Sequence, residues 1–223
     1  MENPVDIQTL QTHYQAHRQN YSEPFRLRIH RSLSWLDKAA CTADEDLDNR
    51  FIMLWIAFNA AYAKETAAGL LGSERSGFRH FLQTLCRLDK EQQIYKLVWE
   101  SFPGNIRLLL DNRYIFQPFW DFHNGLISET AWQDDFARAR QKAHKALAAK
   151  DTDTVLAVVF DRLYTLRNQL IHGGATCNSS VNRTQLKDGC AILLRFMPLM
   201  LWIMQQNHQY PDWGQPFYPV VKD

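Results

Sequence analysis

The chain has 223 residues, of which 46% are hydrophobic and 22% are charged. These values are typical of a globular protein that buries a sizeable core, and they exclude general disorder. The formal net charge of +1 excludes a protein that binds nucleic acid mainly through bulk positive charge, so any nucleic-acid contact must be local.

Apolar residues recur every three or four positions, and this spacing predicts helices rather than strands. In the first third of the chain we predict helices over residues 6–19, 24–40 and 46–66. The second of them starts with Pro24, a residue favoured in the first helical turn. The third has a stripe that marks its core-facing side, made by Leu47, Phe51, Leu54, Phe58 and Tyr62.

The middle of the chain is less regular. Short helices are predicted over residues 78–88 and 92–100, and an aromatic-rich connection follows over residues 112–125. A longer helix, rich in Ala, Arg and Lys, is predicted over residues 129–150 and is expected to be more exposed. The whole segment 69–150 is predicted to be a helical insertion.

Two strong helices follow, over residues 152–172 and 182–208. The Pro- and aromatic-rich tail, residues 210–223, is expected to pack as an extended strap. The sequence therefore predicts a single all-α domain, 1–223, whose core helices at about 24–66 and 152–208 flank the insertion.

The chain contains four cysteines, Cys41, Cys86, Cys177 and Cys190. They are widely spaced without a CxxC pair, which predicts reduced and mostly core-packed thiols in an intracellular protein. The first residues lack the basic start and apolar run of a signal peptide. The most apolar segment, residues 190–204, is interrupted by Arg195 and Pro198 and is short for a bilayer span. We therefore expect a cytoplasmic protein without a membrane contact.

The segment RNQLIHGG, residues 167–174, ends the helix predicted over residues 152–172. This helix has a core-facing stripe with spacings of three and four, made by Leu156, Val159, Leu163, Leu166 and Leu170. On a helical wheel, the flank beside the stripe holds Phe160, Tyr164, Arg167 and Ile171. Asn168 and His172 share the next strip. An apolar flank beside polar residues is typical of a surface that meets a second subunit.

Gly173 is suited to a left-handed helix cap, which would place His172 in the last turn. The carbonyl end of the helix favours a charged imidazolium there. Two interpretations of Arg167 and His172 remain open at this point. They are either a small reaction centre or an ordinary polar helix end at the surface.

The spacing Arg-x4-His is a weak pattern on its own, because Arg75 and His80 repeat it and Arg138 and His144 come close. The first of these two pairs lies in a Gly/Ser-rich helix start without apolar periodicity. The second lies in a basic helical segment, where a solvated face is the natural account. We therefore expect both pairs to be exposed and without a common cavity.

The RNQLIHGG segment resembles the Arg-x4–6-His signature of the HEPN superfamily (higher eukaryotes and prokaryotes nucleotide-binding domain). In that signature a polar residue directly follows the arginine, as Asn168 does here. Two further stretches, FRLRIHRSLSWLDKA (25–39) and DNRFIMLWIAFNAAYA (48–63), resemble bacterial HEPN proteins of the Apea-like kind. Some toxin members carry a tyrosine two residues after the histidine, where Gly174 stands in this chain.

The resemblance implies an antiparallel HEPN-type helical bundle that forms a homodimer, with the arginine and histidine of both copies lining one cleft. It implies a metal-independent endoribonuclease that acts on RNA without a cofactor, in a toxin or defence role and with a possible antitoxin. Other members are inactive modules that bind a nucleotide or a protein partner, and this alternative stays open.

The residue types fit RNA cleavage. His172 is suited to acid–base catalysis near neutral pH, and Arg167 offers a planar fork of donors for phosphate oxygens. Asn168 is expected to position the phosphate or to orient His172. Asn59 and Tyr164 are the expected substrate-binding residues. For Asn59 a buried amide bonded to backbone is an equally open interpretation.

Two other features have a functional and a structural interpretation. His13 and His17, four residues apart, have the spacing of metal ligands but lack a carboxylate or cysteine to complete a site, so we expect no metal there. The aromatic run 114–122 is able to stack on bases, but packing of the insertion is the favoured account.

Overall fold

The computed structural model describes residues 5–63, 74–216 and 218–220, and in this part the chain is all-α, with ten α-helices and no β-strand. The helices are α1 (Ile7–His17), α2 (Glu23–Ala40), α3 (Leu47–Tyr62), α4 (Glu74–Leu88), α5 (Gln93–Lys96), α6 (Pro103–Leu110), α7 (Gln117–His123), α8 (Glu129–Ala148), α9 (Thr152–Ile171) and α10 (Arg183–Gln206). The predicted fold class is confirmed.

The predicted bounds differ most from the structure in the middle of the chain. The helix α6 was not predicted, and the connection expected over residues 112–125 contains a short 3-10 helix, Arg113–Ile115, followed by α7. The prolines explain both errors, because α6 and α7 each carry a proline at the start of the first turn. Proline disturbs a helix when it lies further inside, where it removes a backbone hydrogen bond.

Among the α-helices whose first residues are described, four begin at a side-chain cap, in which an oxygen accepts a hydrogen bond from the backbone N–H three residues on. The caps are Asp6, Asp46, Ser128 and Asp151. At the other end of α3, the backbone of Ala63 is extended, so this helix ends at Tyr62 and not at the predicted residue 66.

The chain forms two compact units. The first comprises Met1–Gln93 with Cys190–Asp223, and the second comprises Ile94–Gly189. The division falls within α10. The single domain with an insertion over residues 69–150 stays a prediction. The two units divide the chain at other positions, and α9 groups with most of residues 69–150 in the second unit.

In the first unit, α2 and α3 pack against each other along their length. The Ser32 hydroxyl donates a hydrogen bond to the Ala57 carbonyl at 2.8 Å, and Arg28 contacts Ala61, so the two helices run antiparallel. The predicted stripe of α3 is buried at its three central positions, Phe51, Leu54 and Phe58.

A buried arginine joins α3 to the C-terminal tail in the same unit. Arg28 is fully buried, and its Nη1 donates to the carbonyls of Ala61 at 2.6 Å and Ala63 at 2.8 Å. Its Nη2 donates to the carbonyl of Trp213 at 3.0 Å and, at longer range, to those of Gly214 and Gln215. Burial lowers the pKa of Arg28 to about 10, so the guanidinium stays charged at neutral pH. The tail is therefore held by backbone carbonyls around one cation.

In the second unit, α9 is the central helix and packs against α6, α8 and the 3-10 helix Arg113–Ile115. Its buried residues include Val155, Val159 and Leu163. The Trp99 indole donates a hydrogen bond to the Thr152 hydroxyl at 3.0 Å, which joins the first turn of α9 to the chain before α6.

All four cysteines lie in the described part of the chain, and none of them forms a disulfide bond. Cys190 is buried, whereas Cys41 and Cys177 are exposed, so the expectation of core packing was wrong for these two. Cys41 is the residue that caps the C-terminal end of α2, and Cys177 lies in the turn that follows α9, where neither side chain reaches a core.

Candidate functional site

The helix α9 positions three of the residues predicted to form the site. Its predicted core stripe is confirmed at Leu156, Val159, Leu163 and Leu166, which are all buried. The flank beside the stripe was expected to be open to a second subunit. Phe160 is 0% exposed and is covered within its own chain, whereas Ile171 is 51% exposed. On this flank, the exposed large apolar side chain is Ile171, in the last turn of α9.

Arg167, Asn168 and Tyr164 lie together on α9. The Arg167 Nη1 donates a hydrogen bond to the Asn168 Oδ1 at 2.9 Å, and the guanidinium carbon lies 6.0 Å from the centroid of the Tyr164 ring. All three side chains are half-buried. Arg167 forms no ion pair with any residue that the structure describes, so no carboxylate neutralises its charge. Asn168 therefore holds the guanidinium at Nη1, with the Tyr164 ring nearby.

The helix ends in a Schellman motif, which fixes the backbone at His172. The Gly174 N–H donates to the Gln169 carbonyl at 2.7 Å, and the Gly173 N–H donates to the Leu170 carbonyl at 3.2 Å. Gly173 has φ +69°, as predicted for a left-handed cap. A Cβ atom on Gly174 would lie 3.1 Å from the Gln169 carbonyl oxygen, so both glycines suit this turn.

His172 is the C-terminal cap residue of α9 and is exposed. Its ring makes no hydrogen bond or ion pair with any described residue. Asn168, which was expected to orient it, bonds Arg167 instead. At 100° per residue, the side chains of Arg167 and His172 leave the helix about 140° apart. One copy of the chain therefore fixes the arginine but leaves the histidine unsupported.

Asn59 lies on α3 in the first unit, and its expected place beside Arg167 stays a prediction. Its Oδ1 is buried and has no hydrogen-bond partner in the described part of the chain. The alternative, a buried amide bonded to backbone, is therefore not seen at this oxygen atom.

The Arg138–His144 pair is exposed, as expected for a solvated face. Arg138 forms an ion pair with Asp135, and the His144 Nε2 lies 3.5 Å from Asp111. For the other pair, His80 is exposed, and the side chain of Arg75 lies outside the described part of the chain.

The rings of His13 and His17 stack at 4.1 Å between centroids, and His13 contacts the Trp202 ring at 4.9 Å. Across the described residues, no three His, Cys, Asp or Glu side chains group in a way that would hold a metal ion. In the aromatic run, Phe116 and Phe119 are buried, which agrees with packing, but Tyr114 is 47% exposed.

Sequence reasoning missed a carboxylate pair at the start of α9. The side chains of Asp151 and Asp153 share a hydrogen bond, which lowers the pKa of Asp151 and raises that of Asp153. The N-cap preference for aspartate could have identified Asp151. It also missed Arg162, which is buried with its guanidinium carbon 4.4 Å from the centroid of the Phe116 ring. No spacing signal indicated that contact.

Within the described residues, no helix has both the length and the apolar character needed to cross a bilayer. No family model, curated protein or solved structure matches this chain.

Proposed function

We propose that this protein is a metal-independent endoribonuclease of the HEPN type, active as a cytoplasmic homodimer. The observation that carries the proposal is the state of Arg167. Its guanidinium is half-buried, bonded to Asn168 and close to the Tyr164 ring, and no described carboxylate neutralises it. An arginine held in this way is suited to bind a phosphate through two parallel hydrogen bonds.

In the proposed reaction, the 2′-oxygen of a ribose attacks the adjacent phosphorus. One His172 takes the proton from that oxygen as its bond to phosphorus forms. A second His172 gives a proton to the 5′-oxygen as the bond from phosphorus to that oxygen breaks. Arg167 stabilises the negative charge on the phosphorane. The products are a 2′,3′-cyclic phosphate and a 5′-hydroxyl.

The proposed homodimer supplies what one copy lacks. Because Arg167 and His172 point about 140° apart on one helix, a two-fold arrangement is a simple way to bring an arginine and two histidines to one phosphate. Exposed Ile171, between them on the last turn, provides apolar surface at this place. Light scattering is expected to give twice the monomer mass of 26.1 kDa. A monomer at micromolar concentration would contradict this part of the proposal.

The cleavage test uses purified protein and mixed RNA in EDTA. Wild-type protein is expected to release fragments that end in a 2′,3′-cyclic phosphate. His172→Ala is expected to lower the rate by about 10²- to 10⁴-fold, the usual contribution of a general acid or base. Arg167→Ala is expected to lower it by about 10²- to 10³-fold, as for the loss of one preorganised donor to a developing negative charge.

The matched control is the exposed pair Arg138 and His144, which has almost the same spacing but separate carboxylate partners. The double alanine variant of this pair is expected to cleave RNA at the wild-type rate. Equal losses in the control and in His172→Ala would show that the cleavage does not depend on the site proposed on α9.

One observation favours a second candidate, a non-catalytic module that binds a nucleotide or a protein partner. Nothing in the described chain orients the His172 ring, whereas the Arg167 guanidinium is held by Asn168. Intact RNA after incubation with concentrated wild-type protein, together with nucleotide binding that Arg167→Ala abolishes, would favour this module over the nuclease.

A toxin or defence role, with an antitoxin as partner, belongs to the same proposal, because unrestrained cleavage of cellular RNA would harm the cell that makes the enzyme. Induced expression of wild-type protein is expected to arrest bacterial growth. The His172→Ala variant at equal abundance is expected not to. Growth arrest by both proteins would show that the toxicity does not depend on cleavage by His172.

A further inference from the structure

A cationic aromatic surface lies on the second unit beside the end of α9. It consists of Arg113 and Tyr114, and we call it the Arg113–Tyr114 surface. Tyr114 is 47% exposed although it belongs to a run of rings that is otherwise largely packed, and Arg113 is exposed as well. Packing of the aromatic run therefore does not account for these two residues.

The backbone of Tyr114 is held from three sides. Its carbonyl oxygen accepts hydrogen bonds from the Gln169 Nε2 at 2.6 Å and from the Trp120 Nε1 at 2.8 Å. Its N–H donates to the Asn112 Oδ1 at 2.9 Å, and the Phe119 ring meets its ring edge to face at 5.5 Å. An exposed ring on a fixed backbone loses little conformational freedom when a flat ligand stacks on it.

The positive charge of Arg113 is held beside this ring. Its guanidinium carbon lies 5.0 Å from the Tyr114 ring centroid, and its Nη2 donates to the Tyr114 hydroxyl at 3.0 Å. No described carboxylate pairs with Arg113. The nearby Asp111 is already occupied, since its Oδ1 lies 2.7 Å from the Arg140 Nε. The surface thus combines a flat ring with a charge that is not neutralised.

The surface adjoins the proposed reaction centre through Gln169. This residue follows Asn168 directly and precedes His172 by three positions, and residues three apart on a helix are neighbours on its surface, with Cβ atoms about 5–6 Å apart. The hydrogen bond from Gln169 to the Tyr114 carbonyl therefore places the backbone of Tyr114 next to the helix strip that ends at His172.

We infer that the Arg113–Tyr114 surface binds a base and a phosphate of single-stranded RNA, next to the nucleotide that is cleaved. This inference rests on the proposed function for the identity of the substrate. Bases stack on aromatic rings whatever their sequence, and a guanidinium beside the ring suits the adjoining phosphate. A duplex keeps its bases stacked on one another, so the surface selects unpaired RNA.

The test measures binding separately from cleavage. A fluorescent single-stranded RNA of twelve nucleotides, with 2′-O-methyl groups that prevent attack by the 2′-oxygen, is titrated with full-length protein. Tyr114→Ala is expected to raise the Kd by about fivefold to more than a hundredfold, the range for loss of one base–aromatic stack. Tyr114→Phe keeps the ring but loses the hydroxyl that accepts from Arg113, so it is expected to weaken binding less than Tyr114→Ala. Arg113→Ala is expected to weaken binding and to reduce its salt dependence by about one ion.

The control is Tyr218→Ala, which removes a tyrosine that is 72% exposed in the first unit, and it is expected to leave the Kd unchanged. Far-UV circular dichroism verifies that each variant is folded. The inference is overturned if wild-type protein does not bind the oligonucleotide, if Tyr114→Ala binds as tightly as wild type, or if a duplex of the same sequence binds equally well.

The two proposals fail in different ways. Tyrosine-dependent binding without cleavage of unmodified RNA would refute the nuclease and support the surface. Cleavage that depends on His172, with Kd and KM unchanged in Tyr114→Ala, would support the nuclease and refute the surface.

Discussion

Replacement of Arg28 by alanine is expected to destabilise the first unit strongly. The guanidinium is fully buried and donates to carbonyl groups at the end of α3 and in the C-terminal tail. None of these acceptors is a carboxylate, so the cation is held entirely by backbone dipoles. Alanine removes the charge and every one of these donors, and it leaves the carbonyls facing a cavity.

The magnitude follows from the two acceptors whose own residues are buried, Ala61 and Trp213. A buried polar group that loses its partner costs about 1–3 kcal/mol, so the two together cost about 2–6 kcal/mol. Water that enters the cavity would bring the loss toward the lower value. For a chain of this length the corresponding decrease in Tm is at least about 4 °C.

The assay is urea unfolding followed by both tryptophan fluorescence and far-UV circular dichroism, because coincident transitions test for two-state behaviour. Arg31→Ala is the matched control. Arg31 lies one turn further along α2 and donates a single exposed hydrogen bond to the Tyr218 carbonyl at 2.6 Å. Its loss is expected to cost less than about 1 kcal/mol.

Arg28→Lys sharpens the test. Lysine keeps the charge but concentrates its donors on one nitrogen, which cannot reach the carbonyls of α3 and of the tail together as a guanidinium does. We expect a free energy of unfolding between those of wild type and Arg28→Ala. A change below 1 kcal/mol in Arg28→Ala would refute the view that this cation ties the tail to α3.

Three further variants test local features. Gly173→Ala is expected to destabilise by about 1–2 kcal/mol in urea unfolding, because alanine is strained at the positive φ of this cap; an unchanged midpoint would contradict the assigned cap. Burial, and then the charge of His17, lowers the pKa of His13, so the folded state binds this proton less readily than the unfolded state. The stability of wild type should therefore fall as the pH drops below about 6.5, and His13→Gln should flatten that fall; parallel profiles of urea midpoint against pH would exclude the effect. Tyr21→Phe removes the donor to the buried Gln205 Oε1 and should cost about 1–3 kcal/mol, and a loss no larger than experimental error would show that water replaces it.

The sequence was most informative where one physical signal dominated. The stripes of α3 and α9 predicted their buried faces because helical periodicity and burial coincide there. The Gly-Gly pair predicted the end of α9 because few other residues accept a positive φ. The grouping of Arg167 with Tyr164 followed from their shared helix face, which the wheel gives directly.

Contacts between distant parts of the chain could not be predicted in this way. The hydrogen bond between Gln169 and Tyr114 joins residues 55 positions apart, and the bonds from Arg28 to the tail span more than 180. Each depends on how helices pack and not on local propensity. Arginines are mostly exposed, but Arg28 is buried because five carbonyl groups accept its hydrogen bonds and offset the cost of removing the cation from water.

The cap at Gly173 fixes the residue at which α9 ends, and so it sets the direction in which His172 leaves the helix. Each residue added to or removed from α9 between Arg167 and the cap would swing His172 about 100° around the helix axis and shift it by about 1.5 Å. The number of residues between the arginine and the histidine therefore determines the angle between their side chains around the helix axis. If this interval were two residues longer, the chain would still have the same arginine and histidine, but the histidine would face a different neighbour.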